Sequence, residues 1–235
     1  MSQPTMPNGN RFLSYSDIGT MAAAVACASY ETLASAIAQR QQAWAVLSGG
    51  STPAHYLPLL ARQPLDWSAL HFVLADERLV PQDSPDANAK MLRAIFFGLP
   101  GPNGSTFHPL TQSEKPTTTD LDRIRTLLPR KPARYDLVLL GMGEDGHIAS
   151  LFPNAPQLAA LLNPTNGERI ALVPPPTTAM PAVARATLTL AELSNASRII
   201  LVIQGESKRI RLMEATDPMR TPVAALQHID VFWCP

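Results

Sequence analysis

The stretch YDLVLLGMGEDGHIASLFP, residues 135–153, is the most informative segment of the sequence. Its first six residues form a largely apolar run, which is typical of a strand buried on both faces of a parallel sheet. The polar loop that follows holds three glycines, two carboxylates and one histidine. Open α/β sheets bind their ligands outside the carboxyl ends of their strands. The stretch therefore predicts a buried parallel strand with a ligand site directly after it.

Strand-like and helix-like segments alternate along the rest of the chain. Strand patterns occupy residues 43–48, 70–77, 105–110, 169–173, 186–190, 197–205 and 229–233. Helical patterns occupy residues 16–41, 52–62, 84–97, 117–129 and 206–215, and another helix is expected at 148–152. Ser16 or Asp17 is expected to cap the first helix, and Pro53 to begin the second. The alternation predicts an α/β fold: a three-layer α/β/α Rossmann-like domain with a mainly parallel sheet and some antiparallel strands in its later part.

Length and composition indicate one domain spanning residues 1–235. The chain is 46% hydrophobic, which is enough for a sizeable core, and no linker divides it. Lys+Arg and Asp+Glu both total 19, so we expect no basic face for nucleic acid. Any positive site must be local, made by a few residues around one pocket.

The N-terminal sequence and the cysteines predict a soluble cytoplasmic protein. The first residues lack the pattern of a secretory signal, and we expect no apolar stretch near the roughly 20 residues that cross a bilayer. Cys27 and Cys234 lie far apart without metal-ligand spacing, which suits a reducing compartment. We expect no membrane partner, and a monomer, with a homodimer as the alternative.

The sequence LSGGSTP, residues 47–53, joins a predicted strand to a predicted helix. Glycines let backbone N–H groups come close to a ligand, and a helix N-terminus favours an anion. The loop therefore suits a phosphate, although a tight turn with capping hydroxyls explains it equally well. The residues concerned are Ser48, Gly49, Gly50, Ser51 and Thr52. We call residues 48–52 the phosphate loop.

Charged residues cluster at the end of the strand LHFVLADE. Arg78 is a plausible partner for a phosphate or a carboxylate, because a guanidinium binds oxyanions through two parallel hydrogen bonds. Asp76 has the chemistry of a base or an orienting acceptor. The alternative for this pair is a solvated salt bridge in a loop. Arg185 and Lys208 are further candidate cations, each of which is also explained as a surface charge.

His147 is the candidate base in the glycine-rich loop, residues 141–147, which we call the histidine loop. An imidazole accepts a proton near neutral pH, and the helix expected after His147 favours its neutral form. Neighbouring glycines, including Gly143, permit close approach of a substrate. The alternative is a capping or packing histidine. No second histidine stands at metal-ligand spacing from Asp145 and His147, and no G-x-S-x-G motif is present, so we expect neither a metal site nor a serine nucleophile.

Five segments occur in one order along the chain: LSGGSTP (47–53), ADERLVP (75–81), LLGMGEDGHIASLFP (139–153), ATLTL (186–190) and GESKR (205–209). In this arrangement the chain resembles the 6-phosphogluconolactonase family, including its relatives the glucosamine-6-phosphate deaminases. The resemblance covers nearly the whole chain from residue 47 to residue 233. It implies a fold of the NagB/RpiA/CoA-transferase-like type. It also implies hydrolysis of 6-phospho-D-glucono-1,5-lactone to 6-phosphogluconate, the second step of the oxidative pentose phosphate pathway.

The resemblance also implies residue roles. His147 would activate water, and Asp145 would orient His147 or the substrate hydroxyls. The phosphate loop with Arg78 and Lys208 would hold the substrate phosphate, and Arg185 would add a contact. Asp76 and Gly143 are counted among the substrate-binding residues. No metal, nucleotide, other cofactor or covalent intermediate is required.

Phe152 separates the two branches of the resemblance. Deaminases typically read GHIAFNEP, with a glutamate one residue before the proline that helps to open the sugar ring. Phe152 stands at that position and cannot relay a proton. A deaminase or isomerase remains the first alternative, with Glu144 as the nearby replacement acid. A non-catalytic sugar-phosphate sensor is the second alternative.

Overall fold

The computed structural model describes residues 9–130, 133–177 and 179–235. Its strands are β1 (Arg11–Ser14), β2 (Ala43–Leu47), β3 (Leu70–Leu74), β4 (Asp76–Arg78), β5 (Thr106–His108), β6 (Tyr135–Leu140), β7 (Ile170–Val173), β8 (Arg185–Leu188), β9 (Ala196–Gln204) and β10 (Asp230–Cys234). Its α-helices are α1 (Ile18–Arg40), α2 (Pro53–Leu60), α3 (Asn88–Leu92), α4 (Thr118–Leu127), α5 (Leu158–Leu161), α6 (Leu190–Leu193) and α7 (Glu206–Met213).

Seven strands form one parallel sheet in the order β1-β10-β9-β6-β2-β3-β5. Strand β6 lies in the middle of this order, and all six of its residues are buried. Helix α1 packs against β2, β6, β9 and β10. The Rossmann-like α/β fold that the sequence predicts is confirmed.

The antiparallel strands form a second sheet rather than part of the first. Its three strands follow the order β4-β8-β7, and both pairings are antiparallel. The predicted strand at 70–77 is therefore wrong in one respect, because the chain changes sheets at Ala75. Ala75 donates its N–H to Leu47 O at 2.8 Å and accepts the N–H of Leu188 at the same distance, so it links the two sheets.

The helix starts follow the predicted signals at two positions and depart from them at a third. Asp17 accepts the N–H of Thr20 at 2.9 Å and caps α1, and Pro53 is the first residue of α2. The helix predicted from Ser84 begins instead at Asn88. A distant carboxylate explains this start, because Glu77 accepts the N–H groups of Asn88 and Ala89 at 2.8 Å each.

Two further expectations are wrong. Residues 148–152 form no helix: Leu151 donates its N–H to Ile148 O at 3.0 Å across a turn in which Ala149 has φ of 47°. Helix α1 has 23 residues and is long and apolar enough to cross a membrane by length and composition, contrary to the expectation from sequence. Its apolar residues pack on the sheet and on α2, as those of a core helix do.

Candidate active site

The phosphate loop, the β3–β4 corner and the histidine loop meet at one edge of the parallel sheet. They follow β2, β3 and β6, which are neighbours in the order β6-β2-β3. The loops enclose a cavity of about 200 Å³. Its lining includes the predicted residues Ser48, Gly49, Gly50, Ser51, Thr52, Asp76, Arg78, Gly143, His147, Arg185 and Lys208. Residues that the sequence placed across some 160 positions thus face a single cavity.

The imidazole of His147 is closely packed by neighbouring residues. Nδ1 of His147 lies 2.5 Å from Oδ1 of Asp145, and the same oxygen accepts the backbone N–H of His147 at 3.1 Å. The ring of Phe152 lies 4.6 Å from the imidazole, centroid to centroid, and Gly143 lies so close to the imidazole that an added Cβ would be 2.1 Å from its Cε1. A carboxylate on Nδ1 favours the tautomer protonated there, which leaves Nε2 to accept a proton.

The expected helix dipole does not act on His147. The residues after it form the Ile148–Leu151 turn, so no helix N-terminus is present to favour the neutral imidazole. The hydrogen bond to Asp145 is therefore the feature that orients the base. Asp145 itself does not line the cavity and reaches it through His147.

The phosphate loop connects β2 to the first turn of α2. Gly50 has φ of 98°, a conformation that L-residues with a side chain rarely adopt. Thr52 precedes Pro53 but makes no side-chain hydrogen bond to the helix end, so it does not act as a capping hydroxyl. The Oγ atom of Ser48 is buried and has no hydrogen-bond partner among the residues that the structure describes. These features fit a loop shaped around an anion better than a simple capped turn.

Three cations line the cavity. Arg78 donates through Nη1 to Asp86 O at 2.8 Å, and Nζ of Lys208 lies 4.0 Å from Oε1 of Glu144. Arg185 is only 3% exposed, and its Nη1 lies 3.8 Å from Oδ2 of Asp76. Burial lowers the pKa of the Arg185 guanidinium below its usual value, while the Asp76 charge opposes that shift.

The guanidinium of Arg185 also lies over the ring of Phe152, 5.2 Å from its centroid. The Phe152 ring thus contacts both the cation and the imidazole of His147. Cation–π contact keeps the guanidinium on the ring face. Phe152 therefore contributes to the shape of the site, in addition to separating the lactonase branch from the deaminase branch.

The sequence interpretation missed Asn88 and Ser150. The amide of Asn88 donates to Asp76 O at 2.9 Å and to Asp76 Oδ1 at 3.2 Å, and its oxygen packs against Gly49. The hydroxyl of Ser150 donates to Asp76 Oδ2 at 2.5 Å. Neither residue carries a local signal, because its partner lies 12 or 74 positions away.

Within residues 9–130, 133–177 and 179–235, no group of three or more His, Cys, Asp or Glu side chains is arranged to hold a metal ion. The described groups that line the cavity include the guanidiniums of Arg78 and Arg185, the ammonium of Lys208, several hydroxyls, the Asp76 carboxylate and the His147 imidazole. This set matches the chemistry of an anionic, polyhydroxylated ligand.

Comparison with known proteins identifies the family of the chain. The family described as glucosamine-6-phosphate isomerases/6-phosphogluconolactonase matches residues 16–233. A 6-phosphogluconolactonase of Pseudomonas putida is 34% identical over 100% of this chain and 97% of its own. One of Mesorhizobium japonicum is 36% identical over 94% of each chain.

Solved structures show the same fold. A crystal structure of a 6-phosphogluconolactonase from Shewanella baltica superposes with a TM-score of 0.86 at 30% identity, and the match covers 95% of this chain and 97% of the other. A monomeric glucosamine-6-phosphate deaminase superposes with a TM-score of 0.77 at 19% identity, which shows a shared fold alone. The chain belongs to the glucosamine-6-phosphate isomerase/6-phosphogluconolactonase family.

Proposed function

We propose that this protein hydrolyses 6-phospho-D-glucono-1,5-lactone to 6-phospho-D-gluconate, the second step of the oxidative pentose phosphate pathway. One observation carries the proposal: the oriented imidazole of His147 and the phosphate loop line the same cavity. Two relatives that match 94% or more of this chain bear the name of this activity. A lactone is an activated ester, so one positioned base and fixed hydrogen-bond donors are sufficient for its hydrolysis.

The reaction proceeds through attack of water on the lactone carbonyl carbon. Nε2 of His147 takes a proton from the water as the new C–O bond forms. The bond to the ring oxygen then breaks, and the protonated imidazole returns the proton to that oxygen. Asp145 stabilises the imidazolium through Nδ1 while it exists. The products are a carboxylic acid, which ionises at neutral pH, and a hydroxyl.

The far end of the substrate is held by its phosphate. The phosphate loop, Arg78 and Lys208 bind the phosphate oxygens, and Arg185 adds positive charge to the same cavity. Asp76 and Gly143 complete the wall that faces the sugar. Binding energy gained at the phosphate places the carbonyl beside His147.

The deaminase alternative lacks the ring-opening glutamate, because Phe152 stands at its position. This side chain is 3% exposed and contacts Arg185 and His147, so no carboxylate stands where the deaminases carry one. Glu144, the nearby candidate for a replacement acid, accepts a hydrogen bond from the Ser207 hydroxyl at 2.9 Å. A non-catalytic sugar-phosphate sensor would not require the oriented His147–Asp145 pair.

The working unit in this proposal is a single domain of residues 1–235 that acts as a cytoplasmic monomer. It needs no cofactor and binds neither nucleic acid nor a membrane. The near-zero net charge and the complete set of site residues on one chain support this part. Light scattering during gel filtration measures the oligomeric state directly.

The test of function is turnover of freshly generated 6-phosphogluconolactone, followed by acid release above the spontaneous background. We expect fast wild-type turnover and no ammonia release from glucosamine-6-phosphate. Turnover at the background rate would reject the lactonase proposal. Ammonia release would transfer the protein to the deaminase branch, and phosphosugar binding without turnover would favour the sensor.

A further inference from the structure

Ser150 lies three residues after His147 and is 1% exposed. Its hydroxyl donates to Asp76 Oδ2 at 2.5 Å, and its backbone N–H donates to Thr187 Oγ1 at 3.2 Å. Asp76 in β4 and Thr187 in β8 face each other as a cross-strand pair in the antiparallel sheet. Both hydrogen bonds of Ser150 therefore attach the chain after His147 to one point of a second sheet.

The turn that Ser150 attaches is strained. Ala149 has φ of 47°, a left-handed conformation that costs a residue with a Cβ roughly 1 kcal/mol. Such a conformation persists only where surrounding contacts hold it. The Leu151 N–H to Ile148 O bond of 3.0 Å closes the turn from within, and the two bonds of Ser150 hold it from outside.

His147 stands between this turn and the start of the histidine loop. On its other side, the carbonyl of His147 accepts the N–H of Gly143 at 3.0 Å. If the turn relaxed to ordinary backbone angles, the position of His147 would shift. A displacement of about 1 Å in a reacting group costs up to roughly 100-fold in rate.

We propose that Ser150 is a positioning residue, which holds the strained turn through Asp76 and Thr187 and so fixes the His147 imidazole for attack. The activity readout of this proposal rests on the proposed function. Ser150 itself is not among the described residues that line the cavity, and its two hydrogen bonds go to Asp76 and Thr187. The role is therefore in the chemical step and not in phosphate binding.

The principal experiment compares Ser150→Ala with Ser29→Ala. Ser29 is a matched control, since it is fully buried and its hydroxyl donates to Val25 O at 2.7 Å within α1, away from the site. For Ser150→Ala we expect kcat to fall roughly 10- to 100-fold. We expect KM and competitive inhibition by inorganic phosphate to stay near the wild-type values. Ser29→Ala should keep wild-type kcat.

A rescue variant distinguishes a loss of His147 positioning from a general destabilisation of the fold. Glycine adopts the left-handed conformation without strain, so Ala149→Gly added to Ser150→Ala should recover part of the lost kcat. Thr187→Val removes the acceptor of the Ser150 N–H at nearly constant volume and should lower kcat in the same way. This variant carries the test if Ser150→Ala does not fold.

Hydrogen exchange of the Leu151 amide gives a readout that needs no substrate. Loss of the outer bonds should speed this exchange in Ser150→Ala or Thr187→Val but not in Ser29→Ala. A wild type without lactonase activity would reject the proposed function, and the exchange rates would still decide the role of Ser150. Unchanged kcat or unchanged Leu151 exchange in folded variants would overturn the positioning proposal.

Discussion

Nδ1 of His147 lies 2.5 Å from Oδ1 of Asp145, two residues earlier in the same loop. The proximity follows from the loop itself, because Asp145 Oδ1 also accepts the His147 backbone N–H. The pair is thus assembled by a few consecutive residues at the end of β6. The cations that line the cavity, in contrast, come from β4, β8 and α7. Because the His147–Asp145 pair and the cations come from different elements, we expect substitutions in the pair to change kcat and substitutions of the cations to change KM.

Asp145→Asn should lower kcat by roughly 100-fold, because an amide no longer stabilises the imidazolium or enforces the Nδ1-protonated tautomer. KM should change little, since Asp145 does not line the cavity. Steady-state kinetics on the lactone measure both constants. Asp122→Asn, an exposed carboxylate paired with Arg125 on α4, is the control. A raised KM with unchanged kcat would show that Asp145 binds substrate instead.

Lys208→Ala should raise KM about tenfold and leave kcat within a factor of about two, because a contact to the phosphate acts equally in the ground state and the transition state. Inhibition by inorganic phosphate should weaken in parallel. The exposed Lys115, which lies outside the cavity, supplies the matched variant Lys115→Ala. An unchanged KM in Lys208→Ala would remove this lysine from the phosphate site.

Gly143→Ala should abolish most activity, because a Cβ at this position would lie 2.1 Å from Cε1 of His147 and displace the ring. Gly141→Ala in the same loop is the control, since its Cβ would meet nothing within 4 Å. Initial rates of both variants, with circular dichroism to verify folding, make the comparison. Equal rates for the two variants would contradict the close packing of Gly143 on the base.

The His71–His108 pair should make stability depend on pH. Nδ1 of His71 lies 3.3 Å from Nε2 of His108, and burial lowers the pKa of both imidazoles. The nearby His71 lowers the pKa of His108 further. In the unfolded chain both groups titrate near about 6.5, so unfolded molecules bind protons first as the pH falls. The stabilisation that comes from keeping the two imidazoles neutral in the folded protein is therefore complete above pH ~6.5. It decreases as the pH falls below that value.

Urea unfolding between about pH 7.5 and 5 measures this dependence. The free energy of unfolding should fall across that range in the wild type. His71→Gln/His108→Gln should show a shallower fall, because neither glutamine titrates. An identical fall in both proteins would assign the acid sensitivity to other groups.

Local patterns were sufficient to predict much of the fold. The apolar run at 135–140 marks β6, and the loops after β2, β3 and β6 meet because parallel strands end at one edge. Eleven of the twelve residues predicted for the site line the cavity, and Asp145 contacts His147 behind it.

Long-range contacts explain what the sequence did not reveal. The change of sheet at Ala75 depends on Leu188, more than 100 positions later. The late start of α3 depends on Glu77, and the turn after His147 replaces a helix because Ser150 bonds to Asp76 and Thr187. Strand β1, with four residues at the sheet edge, is too short for an apolar pattern to mark it.

The most informative single variant is His147→Ala, with lactone hydrolysis measured above the spontaneous background. We expect kcat to fall roughly 100- to 10,000-fold, because general base catalysis contributes about that much. Inorganic phosphate should bind this variant as tightly as the wild type, since the phosphate loop is unchanged. Wild-type turnover in a folded His147→Ala variant would show that this histidine takes no part in the reaction.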